Sequence, residues 1–402
     1  HKQARVCLLG AHGPTSACAV TLLDRLRRHS HNNAGPWVVL TASDESAERI
    51  FNDLHFFHSL MGQPVEGLAW FPEWETLPYE ATAPHVALIA HRMTTLHRLL
   101  VKPPTILVTS VAAAMHRVIP RSLFEEAVIR FKTGTTFERE SLITSLLRIG
   151  YRRVSVVEIP GEFSIRGGIV DIFSTAYPNP VRVEFLGDQV ESMRLFDPAT
   201  QTSIEKLSEG WVLPAREFIR PLQAHDATAP VPPDAEWRSP DLYETMDTLF
   251  DYLGLDPSLA LDQPESLKKA CEAAWSKIDD GYLRHVDRDI AHPYPSPERL
   301  FLTWDGIQQR IATCPMMALE PLATPDSSWE PKTAVNNPSP NFWRASAMSI
   351  GLSWLPEAGG KSIACSPSSE NMIYRPNPGT PRPGQASGPA NRRFMCCTAI
   401  SQ

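Results

Sequence analysis

Between residues 150 and 197 hydrophobic and polar positions alternate at strand period, in short runs broken by turn residues. The pattern predicts five strands, at 154–159, 163–166, 169–173, 181–186 and 189–196. Pro160-Gly161 interrupts the first, Gly167-Gly168 supplies a turn in which glycine accepts positive φ cheaply, and Gly187-Asp188 is a two-residue hairpin connection. An unbroken two-residue hairpin pairs Leu186 with Gln189, Phe185 with Val190, Glu184 with Glu191 and Arg182 with Met193. Val181, Val183, Phe185 and Val190 then share a buried face, while Arg182, Glu184, Leu186 and Glu191 share the other. By the same alternation Phe163 and Ile165 point inward and Ser164 and Arg166 outward. The expected product is a small sheet with one apolar face and one face presenting arginines.

The flanking chain has a different rhythm. Residues 1–119 alternate apolar strands (5–9, 37–41, 105–109) with amphipathic helices (16–29, one capped by Ser43 or Asp44 with Ala47, Ile50, Phe51 and Leu54 inward, and 86–100), which implies a parallel α/β sheet. The aromatic and proline-rich segment F-P-E-W-E-T-L-P-Y-E at 71–80 crosses between them. Residues 120–213 hold the strand-rich stretch, preceded by a strand at 127–131 and a helix that Thr135 and Glu138 open as a capping box and Gly150 closes. Residues 214–330 return to α/β character: a helix near 242–253, a strand at 259–261, a long helix with Leu267, Cys271, Ala274, Ile278 and Tyr282 on one side, a strand at 300–304 and a short helix capped by Asp305. From about residue 331 to 402 periodicity stops, and Pro, Gly, Ser and Asn crowd the chain. A disordered linker and an out-of-frame translation both fit that tail.

Composition narrows the function. A formal net charge of -7 argues against a protein that lives by gripping nucleic acid alone. The seven cysteines show no C-x-x-C pair and suit a reducing, cytoplasmic setting. No apolar run reaches membrane length, and the opening His1 suggests a piece of a longer protein. The turn at 8–16, L-L-G-A-H-G-P-T-S, sits where a phosphate-binding loop would sit. It lacks the lysine such a loop uses, since none occurs between Lys2 and Lys102, and Pro14 removes a backbone donor. Asp44-Glu45 are explained as a cap with favourable first-turn charge, and His55 and His58 as helix-surface residues. No catalytic centre, metal site or cofactor site is expected. Arg166 and Arg182 stand apart, because they share an exposed face with the apolar Leu186; arginine beside an apolar centre is a common make-up of interface hot spots.

The segments G-Y-R-R-V-S-V-V, G-E-F-S-I-R-G-G-I-V-D-I-F, V-R-V-E-F-L-G-D-Q-V-E-S and R-L-F-D-P-A-T-Q resemble the UvrA-binding domain shared by the excision-repair protein UvrB and the transcription-repair coupling factors. F-P-E-W-E-T-L-P-Y-E, H-R-M-T-T-L-H-R-L-L and T-S-V-A-A-A-M resemble the coupling factors' version of the first UvrB-like domain. The resemblance covers about residues 5–330. UvrB keeps an intact phosphate loop and inserts a tyrosine-rich hairpin where this chain has only residues 80–85, and both departures favour the coupling-factor family. The resemblance implies a helicase-like parallel-sheet domain (1–119 and 214–330) split by a mainly antiparallel UvrA-interaction domain (120–213). It implies a non-catalytic adaptor that recruits UvrA to RNA polymerase stalled at DNA damage, through Arg166, Arg182 and the position of Leu186, where the family carries an aromatic. Polymerase and duplex DNA would be engaged, and ATP and Mg used, by parts of the family's longer protein absent here. Rival readings are a divergent UvrB-like ATPase or helicase and a DNA-binding module on the same arginines. On the adaptor reading, replacing Arg166 and Arg182 by alanine removes UvrA binding without moving the melting temperature.

Overall fold

A computed structural model describes residues 6–9, 35–60, 62, 67–221, 231–254, 257–286 and 294–320. The chain divides near Pro325, and the second unit, Asp326–Gln402, falls outside the described residues. So do the phosphate-loop positions beyond Leu9 and the helix expected at 16–29.

Near-continuous apolar runs form β1 (Val6–Leu9), β2 (Trp37–Thr41), β3 (Leu68–Phe71) and β4 (Ile106–Ser110). In β2 and β4 almost every residue is buried, as strands covered on both faces require. Farther along come β5 (Arg117–Val118), β6 (Ile129–Lys132), β7 (Arg152–Arg153), β8 (Glu162–Arg166), β9 (Ile169–Ile172), β10 (Val181–Leu186), β11 (Gln189–Phe196), β12 (Ser203–Leu207), β13 (Glu209–Val212), β14 (Asp247–Thr248), β15 (Ser258–Asp262) and β16 (Met316–Glu320). Among the described residues these make a six-stranded parallel sheet in the order β1-β16-β15-β2-β4-β3, a second six-stranded sheet β12-β11-β10-β9-β8-β7, and the pairs β13-β6 and β14-β5. Because β15 and β16 return to the parallel sheet, the second sheet lies in sequence inside the first. No helix among the described residues is long and apolar enough to cross a membrane.

Several local expectations yield to tertiary context. The stretch 154–159 is not a strand: only Arg152 and Arg153 pair with β8, and the chain then leaves the ladder. The helix Arg139–Arg148 forms and buries Leu142 and Leu146, but no capping box does. The Thr135 hydroxyl donates to Lys132 O (2.6 Å) and Glu138 instead accepts from Ser141 (2.6 Å). The helix expected at 242–253 is only Leu249–Tyr252, preceded by a 3-10 turn at Ala235–Asp241. The strand expected at 300–304 is a helical turn, Pro297–Leu300, followed by the helix Trp304–Ile311, which Thr303 rather than Asp305 caps. The parallel ladder is completed instead by Met316–Glu320.

The hairpin register holds for its first two pairs and then shifts. Leu186 opposes Gln189 and Phe185 opposes Val190, but Glu184 opposes Ser192, Val183 opposes Met193 and Arg182 opposes Arg194. Glu191 is thus the extra residue of a β-bulge. Its cause is the apolar pattern: unbroken alternation from Val190 would send Ser192 and Arg194 inward, whereas the bulge buries Met193 and Leu195 beside Val181 and Val183. At this end β11 also hydrogen-bonds the segment before the helix Arg139–Arg148, through Gly134 N to Val190 O (2.8 Å) and Val190 N to Thr135 O (2.9 Å).

The two turn glycines serve different needs. Gly167 has φ +59°, while at Gly168 a Cβ would lie 2.7 Å from the carbonyl oxygen of Phe185, which itself accepts no such approach without moving β10. Gly168→Ala is therefore expected to destabilise the chain by about 1–3 kcal/mol, read as a lower denaturation midpoint. Gly167→Ala costs about 1–2 kcal/mol, with β10 left in place.

Candidate functional site

Directly opposed residues on neighbouring strands point to one face, and here they make a polar row. Ser164 of β8 opposes Asp171 of β9, Asp171 opposes Arg182 of β10, Arg182 opposes Arg194 of β11, and Lys206 of β12 ends the row. The opposite face carries Phe163, Val170, Ile172, Val181, Val183 and Val190, all buried in the main core. That apolar side holds the sheet still and leaves the polar row to be arranged by its own charges.

Asp171 is the hub. Its side chain is 2% exposed, and it accepts Arg182 Nε on Oδ1 (2.6 Å), Arg182 Nη2 on Oδ2 (2.9 Å) and Arg166 Nη2 on Oδ2 (2.5 Å). Arg182 is further held by Gln201 Oε1 (2.8 Å) and lies 4.3 Å from the centroid of the Phe196 ring. Its hydrogen bonds to Asp171 raise its pKa above the ordinary arginine value against the opposing effect of burial. One row nearer the hairpin, Glu184 accepts Arg194 Nη2 (2.7 Å) and the Ser192 hydroxyl, and these bonds hold its carboxyl below the usual glutamate range. Leu186 closes β10 at the Gly187 turn and is 69% exposed. Four residues of strand separate it from Arg182, roughly 13 Å.

The face is not uniformly open. Arg166 exposes 48% of its side chain, Arg182 only 12%. The segment 154–160 covers one end of the face, where Val157, Phe173 and Phe196 form a small buried cluster against which Val154 packs. Arg182 is consequently a structural partner of a buried carboxylate as well as a surface cation. This counts against the expectation that both arginines can be removed at constant stability, because the two substitutions together leave Asp171 without a cation.

Sequence reasoning singled out Arg166, Arg182 and Leu186. The structure brings the two arginines to one carboxylate and puts Leu186 at the turn end of their face. It overlooked Asp171, although a lone acid inside the apolar run I-V-D-I-F was a usable signal: burying it requires a cation on a neighbouring strand. Gln201 and Phe196 carried no such signal, since their part depends on the turn after β11.

The other candidates are absorbed by packing. Ser43 caps the helix Asp44–Leu60 (Ser46 N to Ser43 Oγ, 3.2 Å), while Asp44 accepts the Glu73 amide (3.1 Å). Burial raises the Asp44 pKa against the lowering effect of the Glu73 amide. His55 is exposed, but His58 is buried rather than on the helix surface. Among the described residues no group of three or more His, Cys, Asp or Glu side chains is arranged to hold a metal ion.

Residues 129–218, which contain the arginine face, match the family model described as the UvrB interaction domain. The chain is 30% identical over 316 residues to the transcription-repair-coupling factor of Myxococcus xanthus, covering 69% of this chain and 26% of that protein. It is 34% identical over 203 residues to the Escherichia coli K12 factor (50% and 17%) and 28% identical over 318 residues to that of Haemophilus influenzae (72% and 27%). The chain therefore spans between 17% and 27% of the length of these relatives.

Proposed function

We propose that this chain, a relative of the transcription-repair-coupling factors with a UvrB interaction domain, is an adaptor that recruits UvrA to RNA polymerase stalled at DNA damage. The contact runs through the face built on Asp171, Arg166 and Arg182, with Leu186 at its edge, on an interaction unit inserted at 120–213 between the halves of the parallel-sheet domain. Polymerase and duplex DNA are engaged by parts of the longer protein beyond this chain, and the chain itself performs no chemistry.

The observation that carries this reading is the clasp of two arginines on one buried carboxylate inside the matched residues. Two guanidinium groups on a single carboxylate leave one positive charge in excess, offered to a carboxylate on the partner. Arg182 is held by Asp171, Gln201 and the Phe196 ring, so little side-chain freedom remains to be lost on binding. Arg166 makes one bond to Asp171 and keeps half its surface in water, which leaves donors for a bidentate pair across an interface. Leu186 supplies exposed apolar area beside this charge, though less than an aromatic would.

The reading is tested by titrating the chain with purified UvrA at two ionic strengths. Saturable binding that weakens with salt is expected. Arg166→Ala should weaken it about 10-fold with an unchanged melting temperature, since Asp171 keeps both bonds to Arg182 and the half-exposed Arg166 contributes under about 1 kcal/mol to stability. Equal affinity of wild type and Arg166→Ala would refute the site.

A further inference from the structure

The segment 154–160 has apolar, β-branched residues and still declines to be a strand; what it does instead is lie pinned over the arginine face. Three attachments hold it there. The Glu162 carboxylate, on the same face as Ser164 two residues on, accepts the backbone amides of Glu158 (2.9 Å) and Ile159 (3.2 Å) while also taking Arg152 Nη2 (2.5 Å). The Ser164 hydroxyl donates to Ser155 O (2.8 Å). Val157 is 1% exposed, buried against Phe173 and Phe196, the ring that also carries Arg182. Burial opposes ionisation of Glu162, but the two amides and Arg152 outweigh it and hold the pKa below the usual glutamate range. The pinning carboxylate is therefore charged at neutral pH.

A loop fixed this firmly has no freedom to turn its remaining side chains away from water. Val156 and Ile159 nevertheless stand 44% and 47% exposed on it, at the opposite end of the face from Leu186. The face thus reads, from end to end, as an apolar roof, two clasped arginines and an apolar edge. Apolar borders around a charged centre keep water from it and strengthen the charge pairing within.

We infer that Val156 and Ile159 form a second, apolar contact region for the same partner that the arginines engage, an acidic patch of UvrA bordered by exposed apolar side chains. This inference rests on the adaptor reading above. Charge complementarity selects the occupant: Arg166 and Arg182 share the single carboxylate of Asp171, and the positive charge left over calls for an acidic surface.

The test is the affinity for UvrA of Val156→Ser combined with Ile159→Ser, beside Arg166→Ala and the conservative pair Val156→Ile with Ile159→Val, all in the full chain. The serine pair should weaken binding about 10-fold, keep the wild-type salt dependence because no charge is removed, and leave the Glu158 and Ile159 amides protected from hydrogen exchange. The conservative pair should bind like wild type. If the serine pair binds normally while Arg166→Ala is weakened, the roof is no contact and the adaptor reading stands. If neither is weakened, the adaptor site itself is wrong and the roof proposal falls with it. Weakening accompanied by a flattened salt dependence or by loss of amide protection would also overturn the proposal, since the effect would then come from displaced charge or a displaced loop.

Discussion

Replacing Arg166 and Arg182 together by alanine is expected to weaken UvrA binding at least about 100-fold, two hot-spot arginines at about 10-fold each. The same variant is expected to lose about 3–5 kcal/mol of stability, because it leaves Asp171, 2% exposed, charged and without a cation. Lost stability could by itself be mistaken for lost contact. Adding Asp171→Asn separates the two: it removes the stranded charge and should recover most of the stability, yet it returns no guanidinium to the surface. A triple variant that regains its denaturation midpoint and still fails to bind UvrA places the loss at the interface. One that regains both would show that the arginines act only by holding the sheet together. Calorimetric titration and urea unfolding of the three proteins decide between these outcomes.

Arg92→Met should be among the most destabilising single changes in the chain, costing about 3–5 kcal/mol. Arg92 is 0% exposed in the middle of the helix Val86–Val101. It pairs through Nε and, at 3.0 Å, through Nη2 with Glu217, which is 3% exposed, and gives Nη1 to Pro72 O (2.7 Å). Glu217 also accepts the Trp74 indole N–H (2.9 Å), and the Arg92 guanidinium lies 4.0 Å from the Phe71 ring centroid. One ion pair therefore joins the helix, the 71–80 crossing and the segment following β13, at the end of the matched interaction domain. Without Arg92 the Glu217 charge has no cation and no water. Combining Arg92→Met with Glu217→Leu should recover part of the loss, since a buried pair can often be exchanged for apolar volume at little cost. Urea unfolding of the single and double variants checks this; equal midpoints for wild type and Arg92→Met would show that the pair contributes nothing.

Much of the architecture was legible in residue order because it rests on local periodicity. Apolar runs alternating with amphipathic helices announce a parallel sheet, and period-two alternation with Gly-Asp and Gly-Gly turns announces the hairpins. The kinship with coupling factors was legible too, since motif order survives at 24–34% identity. Where the reading failed, the deciding interaction was distant. The 154–159 run has strand composition, but the Glu162 carboxylate and the Phe173–Phe196 pocket compete for it and win. The helix expected at 242–253 is cut short in the same way, where the preceding segment turns to put Trp237 beneath Trp74 and Tyr79.

What residue order determined by itself is therefore most of the strands and helices, and the apolar side of each where its pairing runs unbroken. Those properties depend on steric preference and on transfer from water, which each residue carries with it. The tertiary structure alone decided the loop folded over the arginine face and the sharing of Asp171 by Arg166 and Arg182. It also decided the pairing of Arg92 with a glutamate 125 residues away. Each of these depends on a charge or a cavity brought close only by the finished fold, and a buried charge is stable only beside whichever partner that fold supplies.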